Sequence, residues 1–222
     1  MERARIEDWW PAAGVRARAG DLHLRWIDDR ILERVAALAA DGIHPPDRMP
    51  FAHPWTRGTA DEVARNVVLY QWAARSQVGP DRMALELAVV ERGRVVGVQS
   101  IVGEHWGERR ELETGSWLGL PYQGRGIGTR MRALMLELCF DGLGAAAVTS
   151  TAFADNAASC AVSRAVGYER DGSAMIDRDG IPTLQNHYRI TRPQWLAVRA
   201  RNAALLGGRV ALSGTAALRE AI

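Results

Sequence analysis

Hydrophobic residues recur along the chain either at every second position, which is typical of strands, or at every third or fourth position, which is typical of helices. The changes from one spacing to the other predict the order of the secondary-structure elements. Patterns typical of strands cover residues 21–29, 83–93, 94–104, 110–120 and 145–153, with a last pair of strands within 173–191. Apolar residues at helical spacing cover residues 28–42, 59–77, 129–144 and 155–168. The order predicts a mixed α/β protein with one main sheet flanked by helices.

A proline-rich segment interrupts this order. Residues 44–55, HPPDRMPFAHPW, contain four prolines, which remove backbone donors and fix the backbone angle φ. We expect a loop here, with Phe51, His53 and Trp55 placed where a ligand could meet them.

Composition and charge narrow the classes of protein. The chain has 222 residues, 47% of them hydrophobic, which suffices for one sizeable domain. Its formal net charge of +2 gives no reason to expect a nucleic-acid partner. The absence of a long apolar run or a signal-peptide pattern favours a cytoplasmic protein without membrane contact. Cys139 and Cys160 lie in helical segments and should be reduced core residues.

The segment YQGRGIGTRM, residues 122–131, is the strongest candidate for a binding site. Glycines at positions 124, 126 and 128 lie between a predicted strand and a predicted helix. Backbone N–H groups without side chains around them can converge on an anion at a helix N-terminus, where the helix dipole favours negative charge. Arg125 and Arg130 would add positive charge at the rim, so we expect a pyrophosphate to bind here.

Spacing argues against two common phosphate-binding motifs. The P-loop needs a lysine followed by serine or threonine after its glycines, and none is present. The dinucleotide pattern GxGxxG fails because Thr129 stands where the third glycine is required. No set of His, Cys and acidic residues has metal-ligand spacing, so no metal is expected.

The motif that remains, QGRGIG at residues 123–128, resembles the GNAT superfamily of acyl-CoA-dependent N-acyltransferases. The resemblance extends from about Leu22 to about Trp195 and depends on several segments in order. These are ETGSWLGLPYQGRGIGT (113–129), DNAAS (155–159), AVGY (165–168) and HYRITRPQW (187–195). They look like the branch that contains ribosomal-protein N-terminal acetyltransferases. The resemblance implies a GNAT-like mixed, mostly antiparallel central sheet flanked by helices.

The resemblance also implies how coenzyme A would be held. Its pantetheine arm would run along residues 116–120, which include Trp117 and Leu118, and Asn156 would hold the far end. Its pyrophosphate would lie on the backbone N–H groups of Gln123, Gly124, Arg125, Gly126, Ile127, Gly128 and Thr129. Simpler alternatives are a tight turn for the glycines, a helix cap for Asn156 and a core position for Trp117.

Acyl transfer needs a base for the amine, donors for the oxyanion and a proton for the departing thiolate. Glu113 is the candidate base, and Glu111, two residues earlier on the same strand face, is its rival. Either could instead be a solvated surface carboxylate. A backbone N–H near Leu118 is the candidate oxyanion donor.

The general acid departs from the pattern of the superfamily. Many members have a tyrosine seven residues after the position of Asn156, where this chain has Ser163. Ser159, three residues after Asn156, is therefore the candidate acid, and its alternative role is to bond backbone at the helix start. Tyr168 is expected in the core.

These expectations combine into one hypothesis for the chain. Residues 1–20 would form an N-terminal extension, 21–193 a GNAT acyltransferase domain and 194–222 a C-terminal tail that packs on the domain, forms a dimer interface or is mobile. The protein would move an acyl group, acetyl first, from acyl-CoA to a primary amine of a small molecule or a protein. Open alternatives are succinyl-CoA as donor, a non-catalytic acyl-CoA-binding module and a structural α/β domain. A homodimer is also open.

Overall fold

The computed structural model describes residues 4–222, which form one nine-stranded sheet with helices on both faces. The strands are β1 Arg16–Ala19, β2 Leu22–Trp26, β3 Arg82–Glu91, β4 Arg94–Glu104, β5 Glu111–Leu118, β6 Ala147–Phe153, β7 Glu169–Arg178, β8 Ile181–Thr191 and β9 Ala211–Ser213. The helices are α1 Ile6–Trp9, α2 Asp29–Ala40, α3 Ala60–Ala74, α4 Trp106–Arg109, α5 Ile127–Glu137, α6 Ala157–Ala165, α7 Arg192–Leu205 and α8 Thr215–Ala221. A short π-helical turn, Leu138–Gly142, continues α5.

The strand order in the sheet is β7-β8-β6-β5-β4-β3-β2-β1-β9. Neighbouring strands are antiparallel except for β5 and β6, which are parallel. A parallel pair needs a crossover connection, and α5 supplies it. The mixed, mostly antiparallel sheet predicted for the chain is therefore confirmed.

Each face of the sheet buries its own hydrophobic core. Leu112 and Leu118 on β5 belong to the core formed with α5. Trp117 packs against the opposite core, which is formed by α2 and α3. Because side chains alternate along a strand, Glu113 and Gly115 lie on the same face as Trp117. The strand that carries the candidate base thus faces α2 and α3 with its odd-numbered residues.

The helices and strands predicted from the hydrophobic pattern are present. The segment 44–55 has no helix or strand, as its prolines predict. Cys139 and Cys160 are buried and free, and Tyr168 is buried, as expected. The pattern did not predict β1, because in its sequence RARA only alanines occupy the apolar positions.

The first and last described segments of the chain meet at one edge of the sheet. Strand β9 pairs with β1, and Leu218 of α8 is buried near the turn Pro11–Gly14. Trp195 of α7 is fully buried against Phe140. Of the three outcomes considered for the tail, packing on the rest of the chain is the one observed. The division at residues 20 and 193 stays a prediction.

Within residues 4–222, no helix combines the length and the apolar composition that crossing a membrane requires.

Candidate active site

The two parallel strands part halfway along their length. Their pairing runs from Glu111 with Ala147 to Thr114 with Ser150 and then ends. Both strands continue beyond this point, β5 along β4 to Leu118 and β6 along β8 to Phe153. The result is a fork, defined here as the gap between residues 115–118 and residues 151–153.

Backbone groups of β5 point into this fork. Gly119 N–H donates to Val96 O at 3.0 Å, so every second residue back along β5 is bonded to β4. The alternate residues, Ser116 and Leu118, turn their backbone groups toward β6, which is no longer within pairing distance. The side chain of Gln123 donates to Leu118 O at 2.8 Å and occupies that carbonyl. The fork therefore offers backbone hydrogen-bonding groups to an extended ligand.

The glycine loop lies at the open end of the fork. Gly124 and Gly126 have φ of +69° and +77°, in the left-handed region that favours glycine, and an added Cβ would meet nothing within 4 Å. Among the described residues, the N–H groups from Gly124 to Thr129 have no protein acceptor. The helical hydrogen bonds of α5 begin with Arg130 N–H, which donates to Gly126 O at 3.2 Å. A row of free N–H groups at a helix N-terminus suits an anion.

Two residues of the predicted anion site have other contacts. Gln123 N–H donates to Leu120 O, and its side chain also bonds Ile43 O at 2.7 Å. Gln123 thus holds the loop in place, and its N–H is not free for a phosphate. Gly128 packs closely against α6, because an added Cβ would lie 3.4 Å from the side chain of Val162.

The two arginines beside the glycines differ in their surroundings. Arg125 is exposed, and within residues 4–222 its side chain makes only a weak contact with Pro121 O, at 3.5 Å. Arg130 is neutralised by Glu91 at 3.0 Å and by Asp21, whose pKa falls to about 2 mainly because Arg130 donates to it. Arg125 thus keeps its charge exposed at the rim, whereas the charge of Arg130 is balanced by two carboxylates.

The N-terminus of α6 borders the other side of the fork. Asn156 Oδ1 accepts from Ser159 N–H at 3.1 Å, so Asn156 does cap the helix, as its simpler alternative stated. Its Nδ2 group and the half-buried Ser159 hydroxyl make no bonds to the described residues. Ser163 is fully buried and its hydroxyl has no partner in the described part of the chain. Ser163 therefore contributes nothing to the fork.

The two candidate bases are distinguished by their partners. Glu113 is exposed and accepts a hydrogen bond from Thr151 of β6 at 3.1 Å. Glu111 forms an ion pair with Arg189, and the guanidinium that donates to it lowers the pKa of its carboxyl. Glu113 is the freer carboxylate and lies next to the inner end of the fork.

An aromatic wall covers the same face. Ring centroids lie 5.2 Å apart for Phe51 and Trp55 and 6.0 Å apart for Trp55 and Trp117. Trp117 thus packs against the loop 44–55 rather than projecting into the fork. Gly115, between Trp117 and Glu113 on this face, carries no side chain, and an added Cβ would lie 2.8 Å from Ser100 Oγ of β4.

Arginine–aspartate contacts tie the loop to the β7–β8 hairpin. Arg178 donates to both carboxylate oxygens of Asp155, at 2.9 and 2.7 Å, and to Met49 O at 3.4 Å. Arg57 forms an ion pair with Asp179. Sequence reasoning missed Arg178, because its partners lie 23 and 129 residues away.

Among residues 4–222 there is no group of three His, Cys or acidic side chains placed to hold a metal ion.

Comparison with known proteins agrees with this geometry. Residues 21–169 match the family model of the acetyltransferase (GNAT) domain. Among solved structures, Mycobacterium smegmatis RimJ with coenzyme A disulfide shares 21% identity over 88% of this chain and 93% of that one, with a TM-score of 0.65. RimL, a ribosomal-protein α-N-acetyltransferase with coenzyme A, shares 19% over 78% and 95%, with a TM-score of 0.62. MccE, a microcin C7 self-immunity acetyltransferase with acetyl-CoA and AMP, shares 16% over 77% and 92%, with a TM-score of 0.57.

These structural similarities concern the fold, whereas the family match covers most of the chain, including the fork and the glycine loop. The chain therefore belongs to the GNAT family of acetyltransferases.

Proposed function

We propose that the protein is an N-acetyltransferase that moves the acetyl group of acetyl-CoA to a primary amine by direct attack in a ternary complex. The observation that carries the proposal is the fork between β5 and β6 beside a row of free N–H groups at the α5 N-terminus. Coenzyme A has groups that match these two features in the same order. Its pyrophosphate corresponds to the free N–H groups, and the extended arm that follows, with two amides, corresponds to the fork.

The pyrophosphate fits the loop from Gly124 to Thr129. Six consecutive N–H groups here have no acceptor in the described part of the chain, and they would provide charge-assisted hydrogen bonds. The positions of Gly124 and Gly126 leave the space above the backbone empty, and any side chain there would fill it. Arg125 adds a solvent-exposed positive charge at the same end.

The pantetheine arm fits the fork. Ser116 and Leu118 offer backbone groups in place of the strand that has moved away, as an added strand would use them. Asn156 Nδ2 has no partner among residues 4–222 and is available on the opposite side. Leu118 N–H is the candidate donor to the oxyanion, because it points into the fork while its own carbonyl is occupied by Gln123.

Glu113 and Ser159 would carry the proton transfers. An attacking amine must lose a proton, and Glu113 is placed to accept it directly or through water. The Thr151 hydroxyl orients the Glu113 carboxylate by donating at 3.1 Å. Ser159 lies on the other side of the fork with an unengaged hydroxyl and would return a proton to the departing sulfur.

The acceptor would enter from the face of α2 and α3. Glu113, Trp117 and the loop 44–55 line this face, and the β7–β8 hairpin borders it. RimL is named as an acetyltransferase of a ribosomal-protein α-amino group. A protein N-terminus is therefore one acceptor to test beside lysine and small amines.

The experiment is a steady-state screen that follows thiol release from acetyl-CoA with amine acceptors and identifies the product by mass spectrometry. Direct transfer predicts an acetylated amine and initial-rate lines that intersect when both substrates are varied. Parallel lines with an acetylated enzyme would contradict direct transfer. Binding of acetyl-CoA without turnover of any amine would favour the non-catalytic module, and faster turnover of succinyl-CoA would favour the alternative donor.

A further inference from the structure

A buried guanidinium lies at the inner end of the fork. Arg132, on the second turn of α5, is 3% exposed. Its Nη1 donates to Ser150 Oγ at 2.9 Å, and its Nη2 donates to Ser116 Oγ at 3.1 Å. Ser150 is in the last paired position of β6, and Ser116 is the first residue of β5 whose backbone faces the fork. Arg132 therefore bridges the two strands where they part.

The charge of Arg132 has no counterion among residues 4–222. Both of its bonded partners are neutral hydroxyls, and its Nε is buried without an acceptor in that part of the chain. A guanidinium stays protonated at any physiological pH, and burying a charge without a partner is costly. A bridge between two serines needs only hydrogen-bond donors, which a neutral side chain could supply. The retained charge points to a negative partner that is present only during the reaction.

Three buried titratable side chains on the same face of the sheet, Cys139, Tyr168 and Tyr188, are neutral near pH 7. Burial raises the pKa of Cys139 far above its usual range, against the opposing effect of Arg132. Burial raises the pKa of Tyr168 to about 12, and it raises the pKa of Tyr188 on β8 as well. Glu113 lies on the opposite face of the sheet. None of these groups supplies a negative charge to Arg132, whose guanidinium carbon lies 6.0 Å from the centroid of the neutral Tyr168 ring.

The acidic residue Glu137 of α5 forms an ion pair with another arginine. Glu137 is 2% exposed and is bound by Arg199 of α7, with Nη2 to Oε2 at 2.8 Å. It lies five residues after Arg132, and Arg199 binds it together with Asp141, with Nη2 to Oδ2 at 2.7 Å.

We propose that the Arg132 guanidinium stabilises the thiolate that leaves during acetyl transfer, an inference that rests on the proposed function. In the transfer, the amine nitrogen bonds to the carbonyl carbon, the carbon–sulfur bond breaks, and its electron pair leaves on sulfur. The amine gives one proton to Glu113, and sulfur gains one from Ser159, which recovers it from solvent. Arg132 acts on the charge that exists between these two proton transfers.

The location of Arg132 agrees with this role. The free N–H groups for the pyrophosphate lie at the start of α5, at the open end of the fork. Arg132 lies five residues further along α5, about 7.5 Å by the helical rise. An arm held at the glycine loop and extended along β5 leads toward this end, where its terminal sulfur would be.

Calorimetric titration with two cofactor forms tests the inference without turnover. The probes are coenzyme A and desulfo-coenzyme A, which carries hydrogen in place of the thiol, each titrated between pH 6 and 10. A site that stabilises the thiolate prefers coenzyme A increasingly as pH rises, by up to about tenfold for each unit by which the pKa of the bound thiol falls. We expect this rising preference in the unmodified protein and in Arg132→Lys. We expect its loss in Arg132→Met.

The variants also separate a charge effect from a structural one. Replacing an unpaired buried charge by an apolar side chain is often neutral or stabilising, so Arg132→Met should fold. Its kcat should fall roughly 10²- to 10³-fold, as for the loss of one oxyanion donor, with recovery in Arg132→Lys. Arg130→Met removes from the same helix a charge that is paired with Asp21 and Glu91, and it should leave the pH-dependent preference unchanged.

The outcomes are distinguishable. If the unmodified protein binds both probes with the same ratio at every pH, the role of Arg132 is wrong while the proposed function stands, whatever the variants do. If it binds neither probe, the proposed function fails, and the inference fails with it. A preference that persists in Arg132→Met would assign the effect to another group.

Discussion

Replacing Gly126 with valine should weaken coenzyme A binding by roughly a hundredfold or more while leaving the fold intact. The residue has φ of +77°, and an added Cβ would meet nothing within 4 Å, so the unliganded protein loses no packing. The left-handed backbone costs an L-residue roughly 1–2 kcal/mol. For a chain of 222 residues, that lowers Tm by about 2–8 °C.

The effect on binding should be much larger than the effect on stability. The valine side chain would occupy the space above the free N–H groups of the loop. Losing two charge-assisted hydrogen bonds of about 1.5–3 kcal/mol each weakens binding by roughly two orders of magnitude or more. Isothermal titration with acetyl-CoA, together with thermal unfolding, measures both quantities on the same sample.

The chain offers a matched control for backbone strain. Gly144 has φ of +78° and also has nothing within 4 Å of an added Cβ, but it lies after the π-helical turn at the far end of α5. Gly144→Val should show a similar loss in Tm and bind acetyl-CoA like the unmodified protein. If Gly126→Val folds and keeps full affinity, the assignment of the anion site is refuted.

Further predictions concern charge and proton transfer. Arg125→Ala should weaken acetyl-CoA binding more at low than at high salt, because it removes an exposed charge; equal losses at both salt concentrations would contradict this. Glu113→Gln should lower kcat by roughly 10²- to 10⁴-fold and remove the rise of rate with pH, with little change in cofactor affinity. Glu111→Gln should act mainly on stability. Its carboxyl has a lowered pKa through Arg189, so its contribution is present above its unfolded pKa of roughly 4.3 and is lost as pH falls through the folded value. Ser159→Ala should slow turnover less than Glu113→Gln, since water can replace a hydroxyl donor; equal activity of Glu113→Gln and the unmodified enzyme would shift the role of base to another group.

Local pattern was enough to predict the elements and the loop. Strand alternation, helical spacing and four prolines are properties of neighbouring residues, so strands β2 to β8, the main helices and the loop 44–55 could be predicted, whereas β1 and β9 could not. The glycines at 124 and 126 also indicate a left-handed backbone, because most other residues disfavour that conformation.

Features that depend on distant partners could not be predicted. Glu111 and Glu113 are equivalent candidates in the sequence. The ion pair of Glu111 with Arg189, 78 residues later, distinguishes them in the structure. Arg130 looked free for the same reason, since its partner Asp21 is 109 residues away. The fork itself is a failure of two strands to pair, which no single strand pattern reveals.

Arg132 shows the same limit in a different way. In the sequence it stands among apolar residues of an amphipathic helix, where an arginine normally extends its charge to solvent. Only the position of Ser116 and Ser150 on two parted strands makes it a buried charge at the fork.

The most direct test of the central claim is calorimetric titration of the unmodified protein with acetyl-CoA, followed by addition of an amine acceptor found in the screen. We predict saturable binding of one acetyl-CoA per chain, and then one acetylated amine for each coenzyme A released. Absence of binding, or binding that survives unchanged in Gly126→Val, would contradict the account.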